Sequence, residues 1–351
     1  MTRQTISVSE GNSWLACRKK HDYRYRQQLV PAEEKRPLTL GKSVHIGLES
    51  IYETGKVDHA LQSAGEYLAH STYAEELTPL VQDMLRGYFE YWKEDPELYE
   101  VFYIELPFKL PLISPSGRAS RIFDIVGRVD MVVRRKSDGS IWIFEHKTVG
   151  TKDRNYFNRL DTDYQVRAYA WAVSRFLGVQ VKGVVYNVLR TKLPAEPDVL
   201  KSGKISKRAN IDTTLDVFER ALSRTGSDPS EYVDILDRLR NEGNTFFLRE
   251  EREFTPEELH QWALDFYHIT RDIRRSSSPY RNPTSCTLYG GCEFRDLCAG
   301  LLPADEIHNR YRHIQTKHPE LADVDLDALK PAKHRPSKPT VDHEFIESII
   351  S

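Results

Sequence analysis

The sequence predicts an α/β protein, and three observations carry that reading. Residues 39–54 and 58–95 run with helical periodicity, the stretches 101–110, 121–135 and 141–147 are rich in Val, Ile and Phe, and a helix over about 163–178 leads into a further strand over 181–190. With 351 residues, 50 Lys+Arg against 52 Asp+Glu and four cysteines, the chain can bury a sizeable core without disulfides. No run approaches the ~18 consecutive apolar residues of a membrane span. The opening MTRQTISVSE lacks the apolar stretch of a secretory signal, so a cytoplasmic protein without membrane association is expected. A formal charge of -2 excludes a uniformly positive surface, and any nucleic-acid binding must come from local basic patches.

Taken in order, residues 7–29 read as one helix with Ser9 as N-cap. They interleave Arg18, Lys19, Lys20, Arg24 and Arg26 with Trp14, Tyr23 and Tyr25, either to track a nucleic-acid strand or as a solvated helix face. The character turns to strand after Pro96, and Asp138-Gly139 is a hairpin signal between two apolar runs. Lys201, Lys204, Lys207 and Arg208 form a second basic loop, and 212–275 returns to helical periodicity. We expect one unit over 1–300, with a helical part at 7–95, an αβ core at 96–191 and a helical, cysteine-bearing part at 192–300. Residues 301–351, proline-broken and charged, are expected to be a flexible tail, whose end, DHEFIESII, can dock a protein partner.

The chemistry concentrates in IVGRVDMVVRRKSDGSIWIFEHKT. A hairpin at Asp138-Gly139 sets Asp130 opposite Lys147 and Glu145 diagonal to Asp130, with Trp142, Phe144 and His146 on the other face. A partly buried salt-bridge cluster is the plain reading. Burying two carboxylates among Ile141, Ile143 and Val132 is nevertheless costly, and one ammonium offsets only half of their charge. A divalent ion such as Mg2+ or Mn2+ offsets the remainder, and a lysine beside it can orient or deprotonate a water for phosphodiester hydrolysis. Glu105 stays outside the expected metal set, as an ordinary strand residue or a more distant carboxylate. Cys286, Cys292 and Cys298 form C-x5-C-x5-C, with Cys17 far upstream. Four thiolates suit zinc or an iron-sulfur cluster, the loose spacing leans toward iron-sulfur, and four unrelated buried thiols are the alternative.

Asp130 followed by Glu145-His146-Lys147 resembles the D…(D/E)-x-K signature of the PD-(D/E)XK nucleases. His45 in GKSVH, Gln165 and Tyr169 as Q-x3-Y, and one cysteine before and three after the core are similar to its RecB-like exonuclease branch, with its AddB-type and CRISPR-adaptation members and above all its phage-encoded ones. The last cysteines depart from the family's usual C-x2-C-x5-C. The resemblance, over about residues 7–300, implies a restriction-endonuclease-like core with a central mixed sheet flanked by helices, its helical ends joined by a [4Fe-4S] cluster on Cys17, Cys286, Cys292 and Cys298. It implies Mg2+ or Mn2+ on His45, Asp130, Glu145 and the backbone carbonyl of His146, with Lys147, Gln165 and Tyr169 completing the catalytic set. The implied activity is a metal-dependent exonuclease on DNA, single-stranded or with free ends. A catalytically silent DNA-binding scaffold and a nuclease for RNA are the competing readings.

Overall fold

A computed structural model describes residues 3–150, 157–158, 161–208, 210–287 and 291–329. Its centre is a six-stranded mixed sheet built on β4 (Ala119–Arg135), where the sequence alternates apolar residues over a long run. β3 (Tyr99–Ile113) runs antiparallel along one edge of β4. Two strands share the other edge: β1 (Gln4–Ser7) pairs in parallel with Phe123–Val126, and β5 (Ile141–Val149) pairs antiparallel with Met131–Arg134. β6 (Val181–Arg190) lies parallel to β5, and β7 (Phe247–Glu253) closes the sheet antiparallel to β6. Among the described residues, no strand pairs with the edge of β4 between β1 and β5, near Asp130.

The sheet turns at this opening. Glu105 lies opposite Asp130, between the pairs Ile104↔Met131 and Leu106↔Val129, and adopts φ 51°, in the left-handed region that side chains rarely enter. Its neighbours diverge accordingly. Leu106 and Val129 enter the main core beneath α7 (Tyr164–Phe176) and α10 (Pro256–Arg275), while Ile104 and Met131 pack with Trp142 and Phe144 on the side of α3 (Arg36–Thr54).

α3, α4 (Val57–Leu68) and α5 (Ala74–Tyr91) make a three-helix layer around Val44, Leu48, Ala64, Val81 and Leu85. α8 (Leu215–Thr225) and α9 (Val233–Glu242) form a small satellite core around Phe218, Tyr232 and Leu239.

Three expectations are corrected. The first helix is capped by Ser7, not Ser9, and it breaks at Cys17: α1 (Val8–Ala16) gives way to α2 (Arg18–His21), whose chain continues as a π turn over Asp22–Arg26. The region 212–275 is not helical throughout, because it contains β7. Residues 304–329 are not a loose tail, since α12 (Ala304–Arg310) leads into β8 (Tyr311–His313), which pairs with β2 (Leu29–Pro31), and a 3-10 turn at Pro319–Leu321 follows. The DHEFIESII segment lies outside the described residues. α6 (Asp95–Leu98) and α11 (Arg295–Ala299) are single turns.

Candidate active site

α3 crosses the sheet at the opening. Gly41, one turn before His45, lets it approach, since a side-chain carbon there would meet Thr148 Oγ1 of β5 at 3.3 Å. This seats His45 Nδ1 3.7 Å from Asp130 Oδ2. One ligand atom from each of His45, Glu105 and Asp130 lies within 4.8 Å of the others. Glu105, kept out of the metal set on sequence grounds, is therefore part of the constellation. Nothing in VFYIELPF marks it, and only its left-handed backbone, invisible to strand alternation, aims it there.

The β4–β5 register also differs from expectation. The turn spans Lys136–Ser140, with Gly139 at φ 70°, and is longer than a two-residue hairpin. The ladder stops at Met131↔Phe144, so its extension brings Asp130 opposite Glu145, not Lys147. Where the ladder ends, Asp130 Oδ2 accepts the His146 backbone N–H at 2.8 Å. The slip is of two residues, so the expected faces survive. Glu145 and Lys147 share the site side, and the His146 ring turns away to Asn187 Nδ2 at 2.7 Å and stacks on Tyr52.

Glu145 is 1% exposed. Its Oε1 accepts from Lys147 Nζ, while its Oε2 is buried with no hydrogen-bond partner among the described residues. Lys147 also donates to Gln165 Oε1 at 3.2 Å, and Gln165 Nε2 donates to the Tyr169 hydroxyl at 2.9 Å. Asp163, the N-cap of α7, holds that helix end by accepting from Gln165 N and the Tyr186 hydroxyl. Of the residues singled out from the sequence, His45 and Asp130 fall in the compact group, Glu145, Lys147, Gln165 and Tyr169 adjoin it as a chain of hydrogen bonds outside that group, and His146 joins through its backbone.

The electrostatics are those of carboxylates crowded with too little positive charge. Burial, then the neighbouring Asp130 and Glu49, push Glu105 up to about 8. Burial likewise raises Asp130 and Glu145 against the opposing pull of Lys147. Burial lowers His45, although Glu145 and a hydrogen bond to the His146 backbone favour its charged form. A buried carboxylate oxygen without a partner, beside a histidine and two more acids, is a donor set that fits a hard divalent cation.

A PD-(D/E)XK nuclease superfamily model matches residues 5–299, and the chain belongs to that superfamily. Its members are typically metal-dependent nucleases, usually served by Mg2+ or Mn2+, with DNA as substrate. No curated protein matches in sequence. Among the described residues no helix is long and apolar enough to cross a membrane.

The cysteines occupy a separate place. All four are free, Cys17 is buried, and its Sγ accepts the Asn282 backbone N–H at 3.3 Å. Ser285 and Asn282 side chains bond the Ala16 carbonyl, and Tyr23 packs on Phe294. The N-terminal and C-terminal cysteine segments are therefore neighbours. Most of the basic N-terminal stretch is spent internally: Lys19 pairs with Asp22, Lys20 with Glu293, and Arg26 donates to the carbonyls of Ile273 and Ser276. In the second basic loop, Lys204 and Lys207 both pair with Glu231.

Proposed function

We propose that the protein is a Mg2+- or Mn2+-dependent DNA exonuclease acting on single strands or duplex ends, in phage recombination, replication or repair. The observation that carries the reading is the undercompensated carboxylate set of buried Glu145 and half-buried Glu105 and Asp130, facing His45 and Lys147 at the edge of β4. His45, Glu105, Asp130, Glu145 and the His146 carbonyl would hold the ion, which supplies Lewis acidity toward a phosphate oxygen and a more acidic water. Lys147, its ammonium fixed by Glu145 and Gln165, orients the attacking water and offsets charge developing on the phosphate. Gln165 passes that positioning to Tyr169, which packs on Phe108 of the core. The His146 N–H holds the Asp130 carboxylate in one orientation.

Incubating 5′- and 3′-labelled single strands, blunt duplex, closed circles and RNA with Mg2+ or Mn2+ tests this reading. We expect shortening of linear DNA by wild type and a loss of at least about 100-fold in Asp130→Asn and Lys147→Met. Equal cleavage by all three proteins, or cleavage of RNA alone, overturns it.

We also propose a [4Fe-4S] cluster on Cys17, Cys286, Cys292 and Cys298. The support is the contact of the Cys17 sulfur with Asn282 and the joining of its segment to the C-terminal cysteines. Anaerobic protein should be brown and contain iron and sulfide, both lost in Cys17→Ser; about one zinc per chain without iron refutes it.

A further inference from the structure

Two cations of β3 and β4, Arg128 and Lys109, are already paired with the carboxylates of one short stretch. Arg128 extends Nη1 to within 3.9 Å of Glu105 Oε2 and Nη2 to 2.6 Å from Asp323 Oδ1, so a single guanidinium joins the metal-site acids to a residue nearly two hundred positions away. Lys109, on the same strand as Glu105, bonds Asp327 Oδ1 at 2.5 Å. The charges of Arg24 and Arg128 act on Glu320 without a direct ion pair, and among the described residues Arg24 Nη1 is buried without a hydrogen-bond partner. Glu320, Asp323 and Asp327 belong to HPELADVDLD, residues 318–327, which holds four acids and no Lys or Arg.

We propose that this segment is a self-inhibitory strap whose carboxylates stand in for nucleic-acid phosphates on Arg24, Arg128 and Lys109, so that a strand entering the site must displace it. The proposal rests on the nuclease reading above and adds to it the cations that guide the strand and what competes for them.

The strap is held unequally along its length. At its root Lys317 bonds the Thr5 carbonyl and Glu10 Oε2, His318 and Leu321 are 4% and 3% exposed, and the β2–β8 ladder lies just before it. At its acidic end the side chains of Asp323 and Asp327 are 70% and 89% exposed, while those of their partners Arg128 and Lys109 are 22% and 23% exposed. Ion pairs with so exposed a partner contribute little to stability and are screened by salt. An anchored root and a liftable end are what competition requires. The apparent affinity for a strand is then reduced by the fraction of molecules with the strap lifted.

The test compares wild type with full-length Glu320→Gln/Asp323→Asn/Asp327→Asn for binding of a labelled single-stranded DNA, by anisotropy over a range of KCl without divalent metal. Freeing three cations should tighten binding about tenfold or more at low salt and steepen the log K against log[salt] slope by about 2, at roughly 0.7 per phosphate contact. Lys109→Gln should weaken binding several-fold more in the triple variant than in wild type. If the triple variant melts well below wild type, Asp327→Asn alone carries the comparison, with a slope change of about 0.7. Equal affinity and slope in wild type and variant, with wild-type cleavage of DNA intact, overturn the strap and leave the nuclease reading standing. An absence of binding and cleavage in both proteins overturns both.

Discussion

Glu105 holds a left-handed backbone in the middle of a strand, which costs of order 1–3 kcal/mol, and aims its carboxylate at two other acids. Such strain together with charge crowding is the mark of a site shaped for a ligand, not for stability. Glu105→Gln keeps the shape and removes a carboxyl that folding must protonate near neutral pH. We expect the metal-free variant to melt about 2 °C above wild type, while its stabilisation by Mn2+ needs at least about tenfold more ion. A melting point below wild type, with unchanged Mn2+ dependence, contradicts this account. At this scale the sequence was partly legible. Asp130, Glu145 and Lys147 stand out because charges inside Val/Ile runs demand a reason, and alternation alone puts His146 on the far face. The pairing slipped by two residues because the turn is longer than Asp-Gly suggests. Glu105 was illegible because its role depends on a dihedral angle.

β7 was missed for a related physical reason. Its sequence FLREERE reads as a solvated helix, but it is an edge strand, where charge is tolerated and deters pairing with other chains. The usable signal was Gly183 in VKGVV: a side-chain carbon there would lie 2.2 Å from the Arg252 carbonyl oxygen, so only glycine admits the neighbouring strand. β7 also brings Arg249, which forks onto Asp95 through Nη1 and Nη2, donates to Asn187 Oδ1 at 3.1 Å and covers the Trp92 ring at 3.7 Å. Asn187 in turn bonds the His146 ring, so this buried network fixes β5 from behind. Arg249→Met strands the Asp95 carboxylate, 4% exposed, without its cation. We expect a loss of about 3–5 kcal/mol from the urea midpoint. A change below 1 kcal/mol would mean that water reaches Asp95 unaided.

For the whole molecule, the α/β class, the order of the main elements from α3 to β6 and the candidate site's place on β4–β5 were readable from periodicity and residue type. What escaped was long-range closure, since nothing local in residues 304–329 announces that they fold back onto the N-terminal segment. The root of that closure titrates. Burial, then Lys317, lower His318 to about 4 from an ordinary 6.5. The folded chain keeps this imidazole neutral while the unfolded chain takes up a proton, so its contribution is complete above pH 6.5 and is lost as pH falls toward 4, by roughly 3 kcal/mol in all. Hydrogen exchange over residues 311–329 should therefore accelerate between pH 7 and 5 relative to the sheet after correction for intrinsic rates, and His318→Gln should remove the difference. Identical corrected rates at both pH values would show that His318 does not hold the root.

The pairing of Leu29 with His313 also has a consequence in time. At about 5–20 residues per second, His313 is synthesised roughly 15–60 s after its partner. Over the later part of that interval, the roughly 8–33 s between Lys147 and His313, the nascent chain already contains His45, Glu105, Asp130, Glu145 and Lys147, but not the acids that cover Arg128 and Lys109. A chain open to polyanions while still on the ribosome has a kinetic reason to complete residues 304–327 quickly, and rare codons placed there would lengthen its exposure.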